Sequence, residues 1–323
     1  MDYERHWATF EKPPKPPRVS LFEQDQGWGF HIFALAAYLL DSGLADDAEF
    51  WDYREDRRCG YLPNGVLRVS FHNYDDLNCY LTRFGYPDLL INYGQNGHRV
   101  LQRHAGKSFR VHVPCLRRGI YLKRNLDAEC YLVDSEEYLD ARSVMYIPVV
   151  NTKKLRPSDC TKRRDFIYLA SDYCGKRHDL LLNCVRGTEL TGHLHPVSGL
   201  GLDLEGTKVT FSRWDERDVA DLLRTSRIAV YSGDQTSNPA AMWECVAAGL
   251  PILVNRNIAG GRHVVVPGVT GELASEDEFA PAMRRLLERR HSYRPGEHFE
   301  QHWDTIEMLE RYLEFFRRMG LGY

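Results

Sequence analysis

Short runs of apolar and β-branched residues alternate with stretches of helical period along nearly the whole chain. In the first half, the runs at 18–22, 67–71, 88–93, 109–113, 130–133 and 144–150 have the length and composition of strands. Gly27-Trp28-Gly29 follows the first run, and then Phe30, Phe33, Ala37 and Leu40 recur at helical spacing as far as Gly43. Strand, glycine turn and helix in that order predict a parallel α/β layer. In the second half, 165–170, 190–193, 208–211, 228–232 and 251–255 read as strands, with helices over 177–185, 216–225 and 239–248. The stretch 296–320 carries Phe299, Trp303, Ile306, Leu309, Leu313 and Phe316 on one stripe and predicts a single long amphipathic helix.

Between the two sets, 151–164 is rich in Lys, Arg, Pro, Ser and Asp and poor in apolar residues, the composition of an interdomain linker. A chain of 323 residues is long enough for two cores of ordinary size. The expected organisation is therefore an N-terminal Rossmann-like domain over 1–152, a second over 153–300, and a helix over 301–323 that packs back on the first. A formal net charge of -3 supplies no field to draw the protein onto nucleic acid or an anionic bilayer. The opening MDYERHWATFEKPPKPP has charges and prolines where a signal peptide has an apolar run. The longest apolar stretch, 30–40, is too short to span a bilayer, so a cytoplasmic protein is expected. Eight cysteines without a C-x-x-C pair suit reduced thiols, not a disulfide framework or a zinc site.

The chemistry concentrates between Tyr231 and Ser275. Asn238-Pro239 reads as a helix start, with Asn able to cap free N–H groups and Pro losing nothing at the first helical position. Gly249 is the matching stop, and Pro251 prevents continuation. A strand ending at Ser232, a loop through Thr236-Ser237 and a helix opening at Pro239 would aim backbone amides and the positive end of the helix dipole at the loop, which suits a phosphate. Glu244 stands in the second turn of this otherwise apolar helix, either as a surface residue or as a ligand to whatever binds there. Other signals lead nowhere. Gly106-Lys107-Ser108 lacks the earlier glycine of a P-loop, because position 101 is Leu, and Ile32 stands where a dinucleotide fingerprint needs its third glycine. His193 and His195 have no carboxylate or third His at metal spacing. The pairs Arg117-Arg118, Arg284-Arg285 and Arg289-Arg290 read as solvated helix faces, the first also as a contact for an acidic acceptor or, peripherally, a membrane surface.

Glu244, Ala247-Ala248-Gly249-Leu250-Pro251, Gly260-Gly261 and Gly268-Val269-Thr270-Gly271 together resemble the retaining GT-B glycosyltransferases of the family-4 type. The second domain of that family carries a Glu-x7-Glu motif, an A-x-G-x-P turn, a strand, a Gly-Gly loop and a G-x-T-G segment in this order. By that resemblance Glu244 matches the motif Glu that holds the nucleotide ribose, and Thr236 stands in place of the first Glu. Lys176 matches the Lys of the diphosphate clamp, while Ser171 stands where its Arg would be. Gly27 and Gly29 match the glycine loop that approaches the donor phosphates, and His112 matches the strand-end His that contacts the sugar. Taken without the resemblance, Lys176 can equally be a surface residue at a helix start and His112 a structural histidine.

The resemblance implies two facing Rossmann-like domains with a cleft between them and a C-terminal crossover helix. The second domain would bind a nucleotide-sugar, a UDP-sugar favoured, through Ser171, Lys176, Thr236, Ser237, Asn238 and Glu244. Gly27, Gly29 and His112 would join from the first domain. Transfer of a hexose with retention would follow front-face attack, with His112 and Lys176 assisting and neither metal nor cofactor required. Trp28, Tyr93, Asn96 and His98 suggest a polar-aromatic pocket for a small hydroxylated acceptor such as a nucleoside or other natural product. Two further readings stay open: a non-catalytic sugar-nucleotide-binding protein on the same fold, and a GT-B-fold epimerase or phosphorylase.

Overall fold

A computed structural model describes residues 2–14, 30–54, 59–62, 65–93, 98–113, 128–150, 152, 155, 160–199, 201–213, 218–234 and 238–322. The strand expected at 18–22 lies outside these residues, as does half of the linker at 151–164. By proximity of Cα atoms the described residues divide into two units. One takes those within Met1–Val113, Lys123–Tyr131 and Leu309–Tyr323, the other those within Pro114–Leu122 and Leu132–Met308.

In the first unit, β1 (Glu49–Tyr53), β2 (Cys59–Tyr61) and β3 (Leu67–Phe71) form a sheet in the order β1-β3-β2, with β1 parallel and β2 antiparallel to β3. Helices α1 (Tyr3–Thr9), α2 (Phe30–Asp41) and α3 (Tyr74–Phe84) belong to this unit. Trp7 of α1 is buried with Leu67, Val69, Phe71, Leu77, Tyr80 and Leu81 in one apolar cluster. Its indole N–H donates to Asp76 Oδ1 at 2.6 Å, while the His72 amide donates to Asp76 Oδ2 at 2.7 Å, so this buried carboxylate has donors on both oxygens. Asn73 caps α3 by accepting from the amides of Asp75 and Asp76. A parallel set follows: β4 (Leu89–Tyr93), α4 (His98–Arg103), β5 (Phe109–Val113) and β6 (Cys130–Val133), with Asn92 opposite His112 and His112 opposite Tyr131. The chain leaves this unit within β6, after Tyr131.

The second unit begins at Leu132 of β6, beside which lies β7 (Ser143–Met145). Its main sheet is parallel and six-stranded, in the order β10-β9-β8-β11-β12-β13. The strands are β8 (Arg164–Leu169), β9 (Thr191–His195), β10 (Lys208–Phe211), β11 (Ser226–Tyr231), β12 (Ile252–Asn255) and β13 (Gly271–Ala274). The connecting helices are α5 (His178–Val185), α6 (Val219–Arg224), α7 (Ala240–Ala247) and α8 (Phe279–Arg289). Strand β12 and most of β8 and β11 are buried, as the centre of a sheet covered on both faces requires. The chain runs outward from β8 to β9 and β10, then returns to the other side of β8 for β11, β12 and β13. Strand order therefore reverses between β8 and β11, and the site of a doubly wound sheet lies beyond the carboxyl ends of the strands at such a reversal.

Three expectations are corrected. The run 144–150 is a strand only over Ser143–Met145, because Pro148 has no amide to give to a ladder. The boundary at 152 is not where the contacts divide: Leu132–Val150 clusters with the second unit, since the carbonyls of Asp134 and Tyr146 accept bonds from Gly261 and Asn238. The single helix over 296–320 is two, α9 (Pro295–His302) and α10 (Thr305–Arg318). Asp304 interrupts it by accepting from the amides of Ile306, at 3.0 Å, and Glu307, which starts a new helix. Of that segment, Leu309–Tyr323 falls in the first unit, where Phe316 packs on Phe109 and Tyr38 donates to Glu310. Arg284, Arg285 and Arg289 lie on the exposed side of α8, Arg285 bridging to Glu272 at 2.9 Å, while Arg290 just past it is half-buried. Among the described residues no helix is long and apolar enough to cross a membrane, and the described cysteines form no disulfide.

Candidate functional site

Two tyrosines stand at the reversal point, near the carboxyl ends of the strands RDFIYL and SRIAVY. Tyr168 of β8 and Tyr231 of β11 are fully buried and meet edge to face with centroids 5.4 Å apart. After β8 the chain passes Ser171, half-buried, and turns through a short 3-10 segment, Cys174–Lys176. The Tyr168 hydroxyl donates to the carbonyl of Lys176, and Ser232 Oγ, just past β11, bonds the carbonyls of Lys176 at 3.1 Å and Arg177 at 2.8 Å. The backbone of Lys176 is thereby fastened across both strand ends. Gly233 permits the approach, since a Cβ there would lie 3.0 Å from the Gly175 carbonyl oxygen.

The side chain of Lys176 is 9% exposed, which removes the reading of a surface lysine. Its Nζ donates to the Tyr231 hydroxyl at 2.7 Å. No carboxylate among the described residues pairs with it, and burial alone lowers its pKa to about 8. Neighbouring acids are engaged elsewhere, for Arg177 takes Asp179, Asp234 at 3.3 Å and Glu276 at 2.7 Å. A buried cation facing the carboxyl ends of parallel strands without a counter-charge is costly to the fold unless an anion completes it.

Helix α7 follows β11. Its stop is as expected: Gly249 is at φ +82, the Gly249 amide donates to Val246 O and the Leu250 amide to Cys245 O, a paired closure that needs a left-handed residue. Its start differs. Pro239 occupies the cap position and no side chain caps the helix. Asn238 is drawn away by Trp243, whose buried indole N–H needs an acceptor and finds Asn238 Oδ1 at 2.6 Å, while Asn238 Nδ2 donates to the Tyr146 carbonyl at 2.7 Å. The Gly-Gly loop packs on this knot. A Cβ on Gly261, at φ +80, would lie 2.8 Å from Asn238 Cα, and one on Gly260 2.9 Å from the Asp134 carbonyl oxygen. Replacing Asn238 by Ala is expected to cost about 2 kcal/mol, by orphaning the buried Trp243 N–H. Differential scanning calorimetry should show a fall of roughly 5 °C in Tm.

Met242, Trp243, Cys245, Val246 and Ala247 fill the inner side of α7, while Ala240, Ala241 and Glu244 are half-buried. Glu244 thus shares a face with two alanines that run up to the first turn, so little bulk separates the carboxylate from the helix N-terminus. The G-x-T-G segment closes the same sheet edge. Thr270 donates to Val264 O and accepts from the Val266 amide, both at 2.7 Å, and a Cβ on Gly271 would meet Ile252 O at 1.9 Å.

In the first unit His112 is fully buried on β5. Its Nδ1 lies 3.0 Å from Asn92 Nδ2, and among the described residues Nε2 has no hydrogen-bond partner. Burial lowers its pKa to about 4, against a bond to the Asn92 backbone that raises it, so the imidazole is neutral at physiological pH. Tyr93 ends β4 and His98 opens α4. Gly27, Trp28, Gly29, Asn96, Thr236 and Ser237 lie outside the described residues. Ser171, Lys176, Asn238 and Glu244 therefore share the second unit, and His112, Tyr93 and His98 the first. His193 and His195 bond to Thr210 and Ser212 inside the sheet, and among the described residues no three His, Cys, Asp or Glu side chains gather as for a metal.

No protein-family model matches the sequence, and no curated protein matches it. Solved structures do. Sucrose-phosphate synthase from Thermosynechococcus elongatus aligns with a TM-score of 0.74 at 13% identity, over 91% of this chain and 94% of its own. HepE from Anabaena, solved with UDP and glucose, aligns at 0.60 and 12% over 79% and 87%. The lipopolysaccharide outer core galactosyltransferase WaaB aligns at 0.56 and 16% over 78% and 84%. The fold is that of the GT-B glycosyltransferases. On this GT-B frame, the residues that hold Lys176 and α7 in place, Tyr168, Tyr231, Asp134 and Tyr146, carry no motif signal. For the first two the one available sign was an aromatic residue near the carboxyl end of a predicted strand.

Proposed function

We propose that the protein is a glycosyltransferase that takes a hexose from a nucleotide-sugar, a UDP-sugar favoured, and transfers it to a hydroxyl of a small acceptor with retention of configuration. The observation that carries this reading is Lys176, a buried and carboxylate-free cation at the strand reversal of the second unit. A diphosphate is the anion that suits a cation beside a helix N-terminus, and Glu244 on α7 suits ribose hydroxyls. The GT-B fold supports the reading, as do the UDP and glucose bound to HepE.

In the step proposed, the bond between the anomeric carbon and the leaving phosphate oxygen breaks. The acceptor oxygen bonds to that carbon on the same face, and the hydroxyl proton passes to the leaving diphosphate. Lys176 and the amides that open α7 stabilise the charge growing on that diphosphate. The neutral His112 is a hydrogen-bonding partner for the sugar or acceptor and not a cationic acid. In this reading the acceptor is met by the first unit, with Tyr93 and His98 at the carboxyl end of β4 and the opening of α4.

A thermal-shift screen of UDP-, GDP-, ADP- and dTDP-sugars tests the donor, since a ligand that binds the folded state raises Tm by mass action. Acceptor-dependent release of the nucleoside diphosphate then tests transfer. Thr236 and Ser171, where the family pattern has Glu and Arg, favour one rival, a non-catalytic sugar-nucleotide-binding protein. That rival predicts a thermal shift with no release under any acceptor. Because Lys176 and the α7 amides supply the positive charge, turnover is expected to be unchanged in excess EDTA. Loss of activity that magnesium or manganese restores would refute that expectation.

A further inference from the structure

We infer that Tyr231 is a positioning residue for Lys176, its hydroxyl fixing where the ammonium sits and keeping it charged for an incoming diphosphate. The inference deepens the proposed function and rests on it only for the identity of the anion. An ammonium has three donors, and the described residues occupy one of them, the 2.7 Å bond to Tyr231 Oη. The geometry is that of a hydrogen bond at the ring's rim. Nζ lies 5.3 Å from the ring centroid, nearer the oxygen than the π face. The phenol is itself immobile, 2% exposed and wedged edge-on against Tyr168, whose own hydroxyl holds the Lys176 carbonyl. One tyrosine thus fixes the backbone of Lys176 and the other its charge, and the remaining N–H groups are left for a ligand.

The surrounding groups do not duplicate the role. Asp179, Asp234 and Glu276 are bound by Arg177, and Asp172 accepts from the Ser198 amide at 2.6 Å. His178, lowered by burial, is neutral at physiological pH. A neutral phenol favours the ammonium over the amine by accepting its proton, without adding the negative charge that would repel a phosphate.

The test is Tyr231→Phe, which keeps the ring and its contact with Tyr168. The Lys176 titration is followed by NMR of 13Cε-labelled lysine, its signal assigned by loss in Lys176→Met. UDP affinity is measured by calorimetry across pH 6 to 9. Removing the acceptor should lower the Lys176 midpoint by about one pH unit. It should also weaken UDP binding about tenfold at pH 7.5, with the fall in affinity at alkaline pH starting earlier than in the wild type. An unchanged midpoint overturns the inference, whether UDP affinity is unchanged or falls equally at every pH with a drop in Tm. A lowered midpoint in a protein that binds no UDP at any pH upholds Tyr231 as the partner of Lys176 and refutes the nucleotide reading instead.

Discussion

Lys176→Met is expected to weaken nucleoside diphosphate binding about a hundredfold while raising the stability of the protein. The loss follows from removing a charge-assisted bond to the diphosphate, together with the full charge that opposes it in a dry site. The gain follows from linkage. The folded-state pKa of Lys176 is about 8 against an ordinary 10.5, so the fold disfavours the charged form. Below pH 8 both states carry the proton and the fold bears the whole cost. Between about 8 and 10.5 the unfolded chain holds a proton that the folded one has released, so stability rises with pH across that window. Methionine fills similar volume without charge and removes both the cost and that pH dependence. The expected gain at pH 7 is on the order of 1–3 kcal/mol, less what the Tyr231 hydroxyl loses with its partner. Urea denaturation of both proteins at pH 7 and pH 10 reads the gain and its disappearance, and titration calorimetry with UDP reads the affinity. A variant that binds as tightly as the wild type would remove Lys176 from the site. One that is less stable would show that the lysine serves the fold.

Opposite effects on stability and binding at one residue are what a site kept for function produces, and they bear on what the sequence could reveal. Period and punctuation placed β8 to β12 and α5 to α7, because the central strands are largely buried and α7 stops at Gly249, but gave no range for β13 or α8. Elements that form through distant partners did not announce themselves. Strand β1, EFWDY, has polar residues at both ends of a weak alternation and is held by its parallel partner β3. Helix α1 has seven residues, too short to stand alone, and is anchored by the Trp7 to Asp76 bond across 69 positions. At the site, Lys176 and Glu244 were legible through a motif. Asn238 was legible as a polar residue before a helix, yet which groups it would bond depended on Trp243 one turn later and Tyr146 far earlier. A local rule for caps could not weigh those partners, because a buried indole N–H outbids an amide that solvent can satisfy.

Glu244→Gln should weaken nucleotide binding ten- to hundredfold and leave folding nearly untouched. Glutamine keeps the size and helix propensity of the side chain and gives up its charge, and a carboxylate that accepts from two ribose hydroxyls is worth on the order of 1.5–3 kcal/mol over its neutral counterpart. Its place on α7 explains the choice of residue. The inner face of the helix is taken by Trp243, Met242 and Val246, and the half-buried face by Ala240, Ala241 and Glu244, so the acid is the one extended polar group on the side that is not core. Folding should hold because Glu244 is half-buried and off the packed inner face of α7, whereas a carboxylate tied into the core would cost about 3 kcal/mol or more on neutralisation. Calorimetric titration of UDP into both proteins, with their melting temperatures alongside, separates the cases. Lower affinity at constant Tm places Glu244 on the ribose. A lower Tm makes it a structural acid, and constant affinity in a well-folded variant takes it out of the site, leaving Lys176 as the one anchor of the donor.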